Sequence, residues 1–256
     1  LNARGGRRMK VHCITCSMNG GRRKMEDSVY THYYEESDMG IFIVCDGMGG
    51  HRHGKIASRT VCNAMGNYIL SHHDPDEVFT ETSFQKALGA AYDALDSVDD
   101  GAEKKMGTTL AFVLFHAGGC FLAHIGDSRI YQVRPGTGEI LHKTRDHSLV
   151  NSLLDIGEIT PEEAKVFNQK NVITRAMQPH QERRTRADVT NVTDICPGDY
   201  FYMCSDGMLE RSEDSDIVNV LSMDCPDAEK VRTLKEETQA NKDNHSAFII
   251  KVLSTK

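Results

Sequence analysis

The sequence predicts an α+β domain in which sheets pack together between helices. Three observations carry this. Apolar residues recur at helical spacing over 54–70, and again at Phe84, Ala87, Leu88, Ala91, Leu95 and Val98, directly after the early strands. A meander of short apolar runs separated by glycine-containing turns fills 108–143. Two further helical segments, 214–221 and 226–238, precede a last strand at 247–253, and layering is the packing that buries all of these faces. With 256 residues, no repeat and no linker, a single domain spans 1–256.

In chain order, 11–16 and 28–33 read as strands on either side of a Gly20-Gly21 turn. The run Ile41-Phe42-Ile43-Val44-Cys45 is too short for a helix and has no polar face, so it reads as a strand covered on both sides. Within the meander the strands are 108–115, 120–125, 129–133 and 139–143. Residues 146–171 turn helical and polar, with Thr160-Pro161-Glu162-Glu163 offering a capping box, and form a flap inserted between strands. Strand character returns at 172–176, 187–195 and 200–204.

An apolar content of 39%, a charged content of 26% and six prolines describe a globular chain rather than a disordered one. The net charge of −7, with basic residues scattered, excludes the basic stripe that nucleic acid requires. No apolar run approaches the length of a membrane helix, and the opening stretch LNARGGRRMKVH lacks the apolar core of a signal peptide, so the expected location is the cytoplasm. The chain begins at Leu1 rather than Met, as a piece of a longer protein would. Eight irregularly spaced cysteines give no disulfide framework, and Cys45 and Cys204 read as small buried hydrophobes.

Four acidic residues stand where apolar runs meet turns: Asp46 after IFIVC, Asp127 after LAHIG, Asp206 after FYMCS, and Asp243 before the last strand. Singly, such a residue is more often a turn or cap. Together, at the edge of one sheet-built domain, they can converge, and converging carboxylates repel unless cations neutralise them. Oxygen ligands without a Cys or His set select Mg²⁺ or Mn²⁺. Gly47, Gly49 and Gly50 let a main-chain carbonyl turn toward the same point as Asp46. Two ions sharing a carboxylate generate a nucleophilic water, and Arg22 offers a planar cationic partner for a phosphate, so phosphoester hydrolysis is the chemistry this set suits.

Seven ordered stretches, Arg22-Arg23-Lys24-Met25-Glu26-Asp27, VCDGMGGH, Gly107-Thr108-Thr109, IGDSR, DHSLVNSLLDIGEIT, PGDYFYMCSDG and Lys242-Asp243-Asn244, resemble the protein phosphatase 2C family of metal-dependent serine/threonine phosphatases, in its bacterial-type branch. The resemblance covers nearly the whole chain. It implies a four-layer α-β-β-α sandwich, two mainly antiparallel sheets flanked by helix pairs, with a two-metal site at one end. By motif, Asp46 bridges the ions, the Gly47 carbonyl binds one, and Asp206 and Asp243 complete the other. Arg22 holds the phosphate, Glu26 and Asp27 act directly or through water, and Asp127 supports a third ion. It further implies a monomer acting on phosphorylated proteins and opposing a Ser/Thr kinase. Departures from the family pattern are Met48, where some relatives carry a His able to protonate the leaving group, Lys55 in place of a common Glu, and Ala176-Met177-Gln178-Pro179 after the flap. His51-Arg52-His53 resembles a metal pair without a third ligand.

Two rival readings remain at this level. Cys16 and Arg22 match C-x5-R, the spacing of cysteine-dependent phosphatases, although no convincing helix follows to lower the thiol pKa. Cys13-Ile-Thr-Cys16 is a CxxC with no second pair to answer it. A pseudophosphatase that binds phosphoproteins without turnover is the non-enzymatic alternative.

Overall fold

The computed structural model describes residues 9–33, 40–49, 53–169 and 172–255. Strands β1 (Met9–Met18), β2 (Ser28–Tyr33), β3 (Gly40–Cys45) and β4 (Gly47–Met48) precede helices α1 (His53–His72) and α2 (Glu81–Val98). Next come β5 (Gly107–Thr108), β6 (Leu110–His116), β7 (Gly119–Ile125), β8 (Arg129–Arg134) and β9 (Glu139–Lys143). The flap carries α3 (Leu149–Asp155) and α4 (Pro161–Lys165). Strands β10 (Asp188–Val192) and β11 (Tyr200–Cys204), helices α5 (Asp214–Leu221) and α6 (Asp227–Thr238), and β12 (His245–Thr255) complete the chain.

Two antiparallel five-stranded sheets result, ordered β1-β12-β11-β8-β9 and β10-β7-β6-β3-β2, with β4 and β5 as a short separate pair. The apolar run of β3 shows why they stack. Ile41, Ile43 and Cys45 face one way, into a core shared with Val61 and Met65 of α1 and Phe84 and Leu88 of α2. Phe42 and Val44 face the other way and meet Phe201, Met203, Phe248 and Ile250 of the second sheet. On the far side of that sheet Tyr131, Tyr202 and Ile249 pack against Ile217 and Leu221 of α5 and Leu234 of α6. Helix pair, sheet, sheet and helix pair are therefore four layers with three apolar seams, each buried aromatic side chain contributing about 1.5–3 kcal/mol. No helix among the described residues is long and apolar enough to cross a membrane.

Three local expectations change. The meander is shared between the sheets: β6 and β7 pair in one and β8 and β9 in the other, because the chain turns at Gly126-Asp127-Ser128, where Gly126 holds a left-handed φ of 99°. Residues 172–176 form no strand, only a bridge from Ile173 to Ser148, since the facing segment enters α3 at once. Val98, expected on the buried stripe, is exposed because α2 ends there. Within the flap, α4 begins as the capping pattern dictates: Thr160 and Glu163 close the reciprocal box, with Pro161 at the first helical position.

Phe42 lies between the sheets with no exposure, its ring centroid 5.6 Å from that of Phe248 and 6.1 Å from that of Phe115. Phe42→Ala should cost about 3–5 kcal/mol through lost burial and the cavity left behind. Urea unfolding followed by circular dichroism reads this as a lower midpoint at unchanged slope; a loss under about 1 kcal/mol would show that the inter-sheet seam is not the main core.

Candidate active site

Strand register decides which carboxylates meet. Cys45 pairs with Ser28, so Asp46 and Asp27 leave the sheet at the same end, and Leu110 opposite Ile125 brings Asp127 to that edge. In the second sheet Cys204 pairs with Ala247, which sets Asp206 beside the turn that holds Asp243. The two edges are joined by Ser205, whose hydroxyl donates to Asp27 Oδ2 at 2.8 Å and accepts from the Ser246 amide at 3.0 Å.

The Asp46 backbone is fixed on both sides. Its N–H donates to Thr109 Oγ1 at 2.9 Å, and its carbonyl accepts from Thr109 N–H at 2.9 Å and Thr108 Oγ1 at 2.8 Å. Thr109 Oγ1 also lies 2.7 Å from Ser128 Oγ, tying Asp46 to the corner that bears Asp127. The next residue must be glycine for lack of room: a Cβ at Gly47 would sit 2.2 Å from the Gly54 carbonyl oxygen and 2.6 Å from that of Glu26.

Electrostatics follow from this crowding. Burial, then the charges of Asp27 and Asp206, hold Asp46 well above the usual carboxylate range. Asp127 is pushed up to about 7 by burial and by Asp206 and Asp146. Burial raises Asp27 to about 6 against the Ser205 hydrogen bond, and it also raises Asp206. Asp27 Oδ1 and Asp206 Oδ1 are buried with no hydrogen-bond partner. Two orphaned carboxylate oxygens in an all-oxygen acidic cluster fit hard divalent cations, which supply both the missing contacts and the missing countercharge.

Each predicted residue can now be placed. Asp27, Asp46, Asp127 and Asp206 are brought together, and Asp243 raises the proton affinity of Asp27 and Asp206 from their flank. Arg22 is half-exposed, and its Nη2 donates to Asp243 Oδ2 at 2.7 Å. Glu26 is held at its N–H by Asn244 Oδ1 at 2.8 Å. Gly47 pairs with Thr108 across β4 and β5. Met48 packs toward Gly107, and Lys55 is exposed on α1. His51 and Arg52 lie outside the described residues; His53 Nε2 lies 3.2 Å from Asp100 Oδ2 on the surface. Met177 proves to be a core residue that exchanges backbone hydrogen bonds with Thr108, both at 2.9 Å.

Two supporting residues carried no assigned role in the sequence. Asn244 donates to the carbonyls of Asn19 and Lys24 at 3.0 and 2.9 Å, clamping the Arg22 loop, and only its place beside Asp243 could have pointed to it. The Glu210 carboxylate accepts the N–H groups of Lys242 and Asp243 at 2.8 and 2.9 Å, with no sequence signal across that separation. The Cys16 reading loses its basis: Cys16 sits mid-strand, paired with Ala247, and burial raises its thiol pKa rather than lowering it. Beside the carboxylates a cleft of about 720 Å³ runs past Arg145 and Asn151 to Ala164 and Lys165 of the flap.

Comparison with known proteins agrees with this geometry. The family described as Protein phosphatase 2C matches residues 24–242. The chain belongs to the protein phosphatase 2C family. It is 35% identical over 218 residues to protein phosphatase PhpP of Streptococcus pneumoniae, covering 84% of this chain and 86% of that one. The serine/threonine protein phosphatase PstP of Mycobacterium tuberculosis is 34% identical over 202 residues, 79% of this chain and 37% of that one. The crystal structure of the M. tuberculosis phosphatase PstP/Ppp superposes with a TM-score of 0.82 at 30% identity, covering 95% of this chain and 99% of that chain. The catalytic domain of PstP in complex with two manganese ions gives 0.75 at 31% identity, covering 96% and 100%.

Because these carboxyls hold protons more tightly in the folded than in the unfolded chain, whose Asp pKa is about 3.9, their stabilising contribution is present below about pH 4 and lost as pH rises through about 6 to 7. A bound divalent cation removes that penalty. The rise in Tm on replacing EDTA with Mn²⁺ should therefore grow from pH 5 to pH 8; an equal rise at both ends would contradict the clustering of these groups.

Proposed function

We propose that this protein phosphatase 2C chain hydrolyses phosphoserine and phosphothreonine in proteins, with two Mn²⁺ or Mg²⁺ ions held by the strand-edge carboxylates. The observation that carries this is the convergence of Asp27, Asp46, Asp127 and Asp206 beside Asp243, with two buried oxygens unpartnered. The manganese complex of the PstP catalytic domain supports the choice of cation. Asp46, at the centre of the cluster, would hold both ions, with the Gly47 carbonyl completing one ligand set and Asp206 and Asp243 the other. Glu26 and Asp27 would contribute directly or through water, and Asp127 would hold a third ion. A divalent pair bound there would supply a water made nucleophilic near neutral pH and countercharge for the phosphate.

The chain's own residues do the rest. Arg22 exchanges its ion pair with Asp243 for the phosphate oxygens, since both are charge-assisted contacts of similar strength and a planar guanidinium suits either. Thr109 and Ser128 keep Asp46 and Asp127 in register. Met48 cannot donate a proton, so the leaving group takes its proton from another donor. The cleft that runs from the carboxylates to the flap has room for a peptide segment, which favours proteins as substrates. The enzyme opposes a Ser/Thr kinase and acts as a monomer in the cytoplasm.

Turnover of p-nitrophenyl phosphate should require Mn²⁺ or Mg²⁺, vanish in EDTA and survive iodoacetamide. Activity that persists in EDTA and dies on alkylation would return the chemistry to Cys16, and no turnover with any metal would favour a phosphoprotein-binding role.

Asp206→Asn should retain the circular dichroism spectrum while losing metal binding and more than about a hundredfold in activity, the upper end of what loss of an outer-shell partner costs. Unchanged turnover in this variant would refute the site.

A further inference from the structure

Outside the acidic site, His124, His147 and Asp188 bring one ligand-capable atom each to within 4.8 Å of one another. This is a donor set that zinc accepts. The protons at His147 argue against a cation there. The Gly126 N–H donates to His147 Nδ1 at 3.1 Å, and a backbone amide can only donate, so Nδ1 carries the lone pair and the neutral ring carries its proton on Nε2. Burial outweighs Asp188 and lowers the pKa of the ring, which keeps it neutral near pH 7. Nε2 faces Asp188 Oδ2 at 3.1 Å and uses that proton; Arg175 Nη1 also lies 3.2 Å from Nε2, but a guanidinium only donates and finds its acceptor in the Asp188 carboxylate. A histidine bound to a metal through Nε2 must instead donate from Nδ1, and Gly126 offers no acceptor in that direction. Arg175 Nη1, 2.8 Å from Asp188 Oδ1, already supplies a cation.

The same bonds support a different role. Gly126 directly precedes Asp127, and His147 holds it twice: His147 N–H donates to the Gly126 carbonyl at 2.9 Å, and the Gly126 N–H returns to Nδ1. Gly126 is the corner where the chain leaves β7 in a left-handed conformation, so its two peptide groups set the direction in which Asp127 emerges. On its other side the His147 carbonyl accepts Thr174 N–H at 2.7 Å, and Leu149 N–H donates to the Val172 carbonyl at 2.8 Å, closing the neck of the flap. The ring cannot turn away, being stacked on His124 with centroids 4.5 Å apart and tethered to Asp188.

We propose that His147 is a positioning residue that aims the Asp127 carboxylate through Gly126 and couples it to the neck of the flap. This rests on the reading of Asp127 as a cation ligand. The coupling runs through the Nδ1 contact, whereas the Nε2 contact only orients the ring.

Two substitutions separate the contacts. In His147→Asn the side-chain oxygen takes the place of Nδ1, keeping the Gly126 acceptor and losing Asp188. In His147→Gln the amide reaches the place of Nε2, keeping Asp188 and losing Gly126. Mn²⁺ binding to metal-free protein, measured by isothermal titration calorimetry, should show Asp127→Asn and His147→Gln each weakening the weakest site by about tenfold or more, with His147→Asn close to wild type. Asp188→Asn, which leaves Nδ1 and Gly126 in place, should also bind as wild type. Tm in EDTA should be similar for His147→Asn and His147→Gln. Wild-type binding by His147→Gln, with Asp127→Asn impaired, would overturn the positioning role. Wild-type binding by Asp127→Asn would instead overturn the reading of Asp127 and the proposal with it. An equal loss in His147→Asn and His147→Gln, accompanied by a fall in Tm, would reduce His147 to a structural residue and also overturn the proposal; if His147→Gln does not fold, impaired binding by Asp188→Asn does so.

Discussion

Carboxylates gathered at one edge of a sandwich cannot all be charged without countercharge, and much of this structure is arranged around that repulsion. Asp46 sits at its centre, its proton affinity raised by burial and by Asp27 and Asp206. The protein does not relieve the strain with lysines in the cluster. Arg22 stands at the flank on Asp243, and Arg129, which lowers the proton affinity of Asp127, is itself tied to Asp146. The backbone is instead held by neutral hydroxyls, Thr108, Thr109, Ser128 and Ser205, which fix geometry without cancelling charge. A site built in this way leaves its neutralisation to bound divalent cations.

Rigid surroundings are the other half of the design. The strands that carry Asp46, Asp127 and Asp206 are buried on both faces, and their apolar contacts resist any drift of the strand ends. The loops between them are tied by long-range side-chain bonds, Asn244 to the Arg22 loop and Glu210 to the turn before β12. The Arg129 guanidinium, bidentate to Asp146 at 2.7 and 2.6 Å, anchors the chain where it departs for the flap. His147 stands next to that anchor and touches both the flap neck and the corner of Asp127, which makes the flap part of the site's support as well as its wall.

The fold was largely legible because burial on both faces writes itself into short all-apolar runs, as in 41–45 and 200–204, and helices show their period in one face, as in α1 and α2. Asp46, Asp127 and Asp206 stood out for a related reason: a charged residue closing an apolar run marks where the strand reaches the edge of the sheet. Legibility failed where partners decide structure. The segment 172–176 has strand composition but no strand to pair with, and Met177, part of a departure from the family pattern after the flap, fills the core under Thr108.

By itself the sequence determined the layers, the ends at which the carboxylates emerge, the oxygen-only chemistry that selects hard cations, and the family, since each depends on the order of neighbouring residues. Only the tertiary structure decided that Asp27 joins Asp46 and Asp206, that Arg22 rests on Asp243, that Cys16 is sealed within a strand, and that one histidine grips the glycine before Asp127. They include a contact between residues 221 positions apart, Arg22 and Asp243. They follow from register and packing, which no local pattern encodes.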